Sequence, residues 1–127
     1  MYSNILVPLD TSSMAEQILP YVQQLSTSAT TIHLVSVVEP NMYSYAFATQ
    51  EMVIRDKLQA VLHSDLERYL AEVTQKLRQQ GLRIESWLAK GDAAQTIADV
   101  AGKINTDLIA MTTHGRTGFG RWALGSV

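Results

Sequence analysis

The chain has 127 residues, 46% of them hydrophobic and 17% charged, with a formal net charge of −2 and no cysteine. That length and balance fit one globular domain with its own core, and they argue against a disordered chain. The lack of cysteine excludes a disulfide framework, a thiolate zinc site and a redox thiol; the lack of a basic excess argues against nucleic acid as a partner; and no segment reads as a signal peptide or a bilayer span, so a cytoplasmic location with no membrane partner is expected.

Ile5-Leu6-Val7 is a short, β-branched apolar run stopped by Pro8, and it reads as a strand buried on both faces of a parallel sheet. Leu9-Asp10-Thr11-Ser12-Ser13 supplies turn and N-cap residues. From Met14, the apolar residues Ile18, Leu19, Val22 and Leu25 recur at helical spacing, with Pro20 expected to kink or break the helix. Residues 31–38 form a second strand, ended by Glu39-Pro40-Asn41. Residues 42–50, with Tyr43, Tyr45 and Phe47, show no period and read as a loop, either a lid or a partner surface. A long helix is expected over 51–80, with Ile54, Leu58, Val61, Leu62, Leu66, Leu70, Val73 and Leu77 as its stripe and Gly81 as its terminator. A third strand over 82–88 follows, with some alternation that suits a place near the sheet edge. Asp92 with Gln95 resembles a capping box for a small-residue helix running to Ile104, and residues 107–111 form a fourth strand.

The order β-α-β-α-β-α-β predicts an α/β fold, a parallel sheet with right-handed crossovers and helices on both faces. In such sheets a ligand sits beyond the carboxyl ends of the strands, where strand order reverses. Asp10, Val37 and the segment from Thr112 all fall at such ends.

Residues 112–127 are rich in glycine, with Gly115, Gly118, Gly120 and Gly125. Glycines let backbone N–H groups approach an anion, Gly125-Ser126 reads as a helix entry, and Arg116 and Arg121 add positive charge; together they suit phosphate. Two familiar loops are absent. Arg121-Trp122 stands where a Walker A loop has Lys-Ser/Thr, and no GxGxxG follows the first strand. Taken alone, the segment also admits a second, less favoured reading as a plain surface loop that turns the chain. His33, His63 and His114 lack metal-ligand spacing, and no metal site is expected. No nucleophile elbow supports a triad of Ser126, His114 and Asp10. The charges over 55–57 and 65–68 read as a solvated helix face.

The whole chain resembles the universal stress protein (UspA-like) family of adenine-nucleotide-binding domains. The resemblance rests on Ile5-Leu6-Val7-Pro8-Leu9-Asp10, Leu34-Val35-Ser36-Val37-Val38-Glu39-Pro40, Lys90-Gly91-Asp92, Asp107-Leu108-Ile109-Ala110-Met111 and the glycine segment. The ATP-binding branch carries Gly-x2-Gly-x9-Gly-(Ser/Thr); here Gly115 matches the second glycine and Gly125-Ser126 closes the motif. Thr112 stands in place of the first glycine. A β-branched residue there crowds the approach to ribose and phosphate, although its hydroxyl can bond one of their oxygens.

The resemblance implies a Rossmann-like nucleotide-binding domain over 1–127, with Pro8, Leu9, Asp10, Val37, Met111, Thr112, His114, Gly115, Arg116, Gly125, Ser126 and Val127 around the ligand. Pro8 and Leu9 would wall the pocket, Val37 would meet the adenine edge, and Asp10 would take a ribose hydroxyl or hold magnesium through water. Family members normally continue with another helix and a fifth strand, often used in dimer pairing; both are expected to be missing from these residues. The implied function is a nucleotide-responsive stress or signalling module binding ATP or ADP, with or without magnesium, in a homodimer, with at most slow ATP turnover. The alternative is a UspA-type dimerisation or protein-interaction module that binds no nucleotide. An enzyme of the related adenine-nucleotide hydrolase superfamily would need a further substrate domain.

Overall fold

A computed structural model describes residues 1–39 and 52–112. The elements are β1 (Asn4–Pro8), α1 (Ser13–Glu16), α2 (Leu19–Leu25), β2 (Thr31–Val38), α3 (Met52–Gln79), β3 (Arg83–Lys90), α4 (Ala93–Lys103) and β4 (Leu108–Ile109). All strand pairings are parallel, and the described sheet has the order β3-β2-β1-β4. The chain steps outward from β1 to β2 to β3, then crosses back to place β4 on the far side of β1. Strand order therefore reverses between β1 and β4. The right-handed crossover rule puts α1, α2 and α3 on one face of the sheet and α4 on the other.

The core follows from the apolar runs. Ile5, Leu6, Val7, Ile32, Leu34 and Val35 are all essentially inaccessible, as expected for central strands covered on both faces. Ala15, Leu19 and Val22 close one side with Leu70, Val73 and Leu77 of α3, while Ala93, Ile97 and Val100 of α4 close the other. The expected helix from Met14 is two helices, with Pro20 in the first turn of the second, where a missing N–H costs nothing.

The α3 stripe extends less far than the apolar spacing suggests. Val61 is 56% exposed. A helix of 28 residues is about 42 Å long, whereas an eight-residue strand spans about 26 Å. The helix is therefore longer than the strands it packs on, and its buried positions among the described residues begin at Leu66.

Both long crossovers end in the same device. At α3, Gly81 takes φ +88°, its N–H donates to Arg78 O at 3.0 Å and the Leu82 N–H donates to Leu77 O at 3.4 Å. At α4, Asn105 takes φ +52°, with Asn105 N–H to Gly102 O at 3.4 Å and Thr106 N–H to Ala101 O at 3.0 Å. These paired bonds satisfy carbonyls left over at the helix ends. The α4 N-terminus is only half of the expected capping box. Asp92 Oδ2 accepts from the Gln95 N–H at 3.1 Å, but the Gln95 side chain turns forward and donates to Asp99 Oδ1 at 2.9 Å. There its amide N–H makes a charge-assisted bond to a carboxylate one helical turn ahead.

Candidate functional site

The crevice beyond the carboxyl ends of β1 and β4 is built from the residues that leave those strands. Leu9 is fully buried and fixed twice to β2: its N–H donates to Val35 O at 2.9 Å, and its carbonyl accepts from Ser36 Oγ at 2.8 Å. Pro8, also fully buried, precedes it. Asp10 follows at the rim, half-buried, with Oδ1 accepting from the Ser12 N–H at 3.0 Å and from Ser12 Oγ at 2.6 Å. Ser12 Oγ in turn accepts the Ala15 N–H at 3.0 Å and caps α1. Of the two roles open to Asp10, direct capping therefore falls to Ser12, and Asp10 braces the cap.

Between them, Thr11 takes φ +73°. A β-branched residue in the left-handed region carries strain of roughly 1–3 kcal/mol. The sharp turn lets Asp10 and Ser12 face one another across it, so the strain is coupled to the placement of the Asp10 carboxylate.

A second carboxylate lies nearby. Tyr69 of α3 donates its phenol proton to Glu16 Oε2 of α1 at 2.7 Å. Burial, that bond and the negative charges of Glu16 and Asp10 all push the Tyr69 pKa well above the ordinary phenol value, so Tyr69 is a permanent donor. It ties α3 to α1, the helix that follows the Asp10 turn. Neither Tyr69 nor Ser36 is legible as a site residue in the sequence. A serine inside the apolar run of β2 is the one signal that could have marked Ser36.

On the β4 side, Ala110 N–H donates to Leu6 O at 2.9 Å and extends the pairing by one bond beyond Ile109. Met111 and Thr112 follow, both half-buried. Thr112 Oγ1 is shut off from solvent, yet it has no hydrogen-bond partner among the described residues. A buried hydroxyl costs free energy when it is left without a hydrogen bond. Thr11 and Asn105 have positive φ among the described non-glycine residues, and Thr112 does not, so its backbone here needs no glycine. Val37, near the end of β2, is buried at 8% exposure.

The fold thus gathers Pro8, Leu9, Asp10, Met111 and Thr112 at the β1/β4 reversal, with Val37 at the same end of the sheet one strand away. His114, Gly115, Arg116, Gly125, Ser126 and Val127 lie outside the described residues, as does the tyrosine-bearing segment 42–50. No group of three or more His, Asp or Glu side chains suited to a metal ion occurs among the described residues, and no described helix is long and apolar enough to cross a membrane.

The profile of the universal stress protein family matches residues 1–127. The chain is 24% identical over 136 residues to universal stress protein Sll1388 of Synechocystis sp., an alignment covering 99% of this chain and 88% of that protein. Its fold is similar to that of protein MJ0577, with a TM-score of 0.78 at 24% identity over 92% of this chain and 78% of the other. It is likewise similar to UspA from Lactobacillus plantarum, with a TM-score of 0.76 at 22% identity over 98% and 86%. A universal stress protein family member from Burkholderia pseudomallei gives a TM-score of 0.69 at 24% identity over 96% and 90%.

Proposed function

The chain belongs to the universal stress protein family, and from that premise we propose that it binds ATP or ADP at the β1/β4 reversal and acts as a nucleotide-responsive stress or signalling module. The observation that carries this reading is Thr112 Oγ1, shielded from solvent and without a hydrogen-bond partner among the described residues, at the strand reversal, the place where open α/β sheets hold ligands. Its hydroxyl supplies the hydrogen bond to a ribose or phosphate oxygen that a glycine at this position could not. Asp10, held by Ser12, offers its carboxylate to a ribose hydroxyl or to a hydrated magnesium ion. Pro8 and Leu9 wall the base, and Val37 borders it. The phosphates fall to Gly115, Gly125 and Ser126, with Arg116 and His114 as polar neighbours.

Magnesium supplies charge neutralisation to the phosphates when bound. The protein's own part is positioning. With no lysine in the glycine segment and no side chain assigned as a general base, the proposed role is nucleotide holding, with turnover slow at most. A cytoplasmic homodimer is part of the same proposal.

Isothermal titration with magnesium-ATP tests it. The expected result is a single site of micromolar scale, on the order of −8 kcal/mol. No heat and no thermal shift at millimolar nucleotide would reject the nucleotide reading in favour of a dimerisation module.

A further inference from the structure

The outer edge of β3 is a second surface with its own chemistry. Main-chain groups of a strand point alternately to its two sides. In β2, Val35 O accepts from Leu9 on the β1 side, whereas Val38 O accepts from the Gly91 N–H on the β3 side. By this alternation the odd-numbered residues of β3 pair with β2. Ile84, Ser86 and Leu88 then direct their N–H and C=O groups to the free edge of the described sheet.

One of those outward groups is already taken, and by a side chain. Arg78 of α3 donates from both Nε and Nη2 to Ile84 O, at 3.2 and 2.7 Å. Beside it a groove of about 490 Å³ runs between helix and strand, lined by Ala71, Thr74, Gln75, Arg78, Gln79 and Ser86. The lining holds one cation and no carboxylate. It also holds Thr74, 5% exposed, whose Oγ1 has no hydrogen-bond partner among the described residues. A strand edge left open among the described residues, flanked by a helix and a groove, is the arrangement that accepts an extended peptide as an added strand.

We propose that the β3 edge and the groove beside α3 form a strand-addition site for an extended peptide that carries a carboxylate at the residue facing Ile84. The position follows from the pleat. A peptide residue directly opposite Ile84 in an antiparallel pair exchanges both main-chain bonds with it and projects its side chain to the same face. That is the α3 face, where Arg78 stands. An aspartate or glutamate there draws the guanidinium off Ile84 O into a paired, charge-assisted contact, and the freed carbonyl accepts the peptide N–H. Arg78 thus covers the edge while it is vacant and reads the acid when a peptide arrives. A strand lacking the acid must displace Arg78 without giving it a partner.

The test is amide hydrogen exchange on the full chain with the probe acetyl-Thr-Val-Thr-Asp-Thr-Val-Thr-amide and its Asn-centred counterpart. The Asp peptide at millimolar concentration is expected to raise protection of the Ile84, Ser86 and Leu88 amides at least tenfold, and the Asn peptide to need about tenfold more for the same effect. Arg78→Met should erase the preference for Asp over Asn, and Arg78→Lys should keep part of it, so an unfolded Arg78→Met protein does not remove the test. Ser86→Pro, which deletes an outward N–H, should abolish the effect of either peptide. Unchanged protection at these three amides, equal response to the two peptides, or a preference that survives Arg78→Met would each overturn the proposal. Magnesium-ATP titration of the Ser86→Pro chain separates this site from the nucleotide site, since its ATP affinity should be unaltered.

Discussion

Replacing Thr112 by valine should move stability and nucleotide affinity in opposite directions. Thr112 Oγ1 is shielded from solvent and has no partner among the described residues. Leaving a buried hydroxyl unsatisfied costs about 1–3 kcal/mol, and valine fills nearly the same volume with a methyl group. Without nucleotide, Thr112→Val should therefore stabilise the chain by roughly 1–2 kcal/mol, which for a domain of this size is a rise in Tm of roughly 4–8 °C. With nucleotide, the lost hydrogen bond should cost about 1 kcal/mol, or roughly fivefold in affinity. Thr112→Gly is the contrasting change. Because Thr112 does not have positive φ, glycine relieves no strain there, and its extra freedom in the unfolded chain lowers stability by about 0.5–1 kcal/mol. Thermal unfolding without ligand and calorimetric titration with magnesium-ATP read both effects. A Thr112→Val chain that melts earlier than wild type would mean the hydroxyl is already satisfied. One that melts later but binds nucleotide as tightly as before would mean the hydroxyl does not touch the ligand.

Asp10→Ala should weaken both folding and nucleotide binding, because the carboxylate holds the Ser12 N–H and hydroxyl as well as facing the crevice; the folding loss should be about 1 kcal/mol, whereas Asp10→Asn, which keeps an acceptor oxygen, should lose affinity with little change in the urea midpoint, and equal affinity for wild type and both variants would remove Asp10 from the site. His33 should make stability fall with acid: burial lowers its pKa below 6.5 in the folded chain, with Glu85 opposing, so between 6.5 and the lower folded value the unfolded chain binds more protons and stability drops, levelling off below the folded value. The geometry agrees, since Trp87 Nε1–H donates to Nδ1 at 3.1 Å, which leaves the proton on Nε2 facing Asn4 Oδ1 at 3.0 Å; urea unfolding at pH 7.5 and pH 5 should show a slope that His33→Gln reduces, and an identical slope in the variant would refute this. Gly91→Ala should destabilise by about 1–3 kcal/mol, because φ is +144° and the new Cβ would lie 2.8 Å from Thr96 Oγ1; a loss too small to resolve in the same urea assay would contradict it.

The fold was largely legible because its signals are local. The β-branched runs of β1 and β2, Gly81 at a helix end and the strand–helix alternation each carry their reason within a few residues. What escaped depends on distant partners. Val61 has the right spacing for the α3 stripe but stays exposed. Asn105 terminates α4 in a left-handed conformation that glycine would more plainly have announced. At the candidate site, Asp10 and Thr112 stood out because the topology brings strand ends together. Thr11, Ser36 and Tyr69 did not, because a positive φ, a bond to Leu9 O and a bond to Glu16 are products of the assembled structure.

The reversal of strand order also sets a hierarchy of assembly. β1 meets β2 after one short excursion, but its contact with β4 closes a loop of about one hundred residues, which is entropically the slower event. Among the described residues that late seam is short: two register pairs, Ile5 with Leu108 and Leu6 with Ile109, flanking bonds from Ala110 N–H to Leu6 O and from Asp107 N–H to Asn4 O at 2.9 Å each, and a clasp in which Asp107 Oδ2 accepts the Ser3 and Asn4 N–H groups at 2.6 and 2.8 Å. The β1-β2-β3 block is therefore expected to outlast the β1/β4 pairing, and opening of that pairing should cost less than global unfolding. A ligand seated across the seam, touching Asp10 on one side and Thr112 on the other, would act as a staple between the first and last parts of the chain. Its effect should be concentrated in the amides of β4, so occupancy would be felt as slower exchange at that strand.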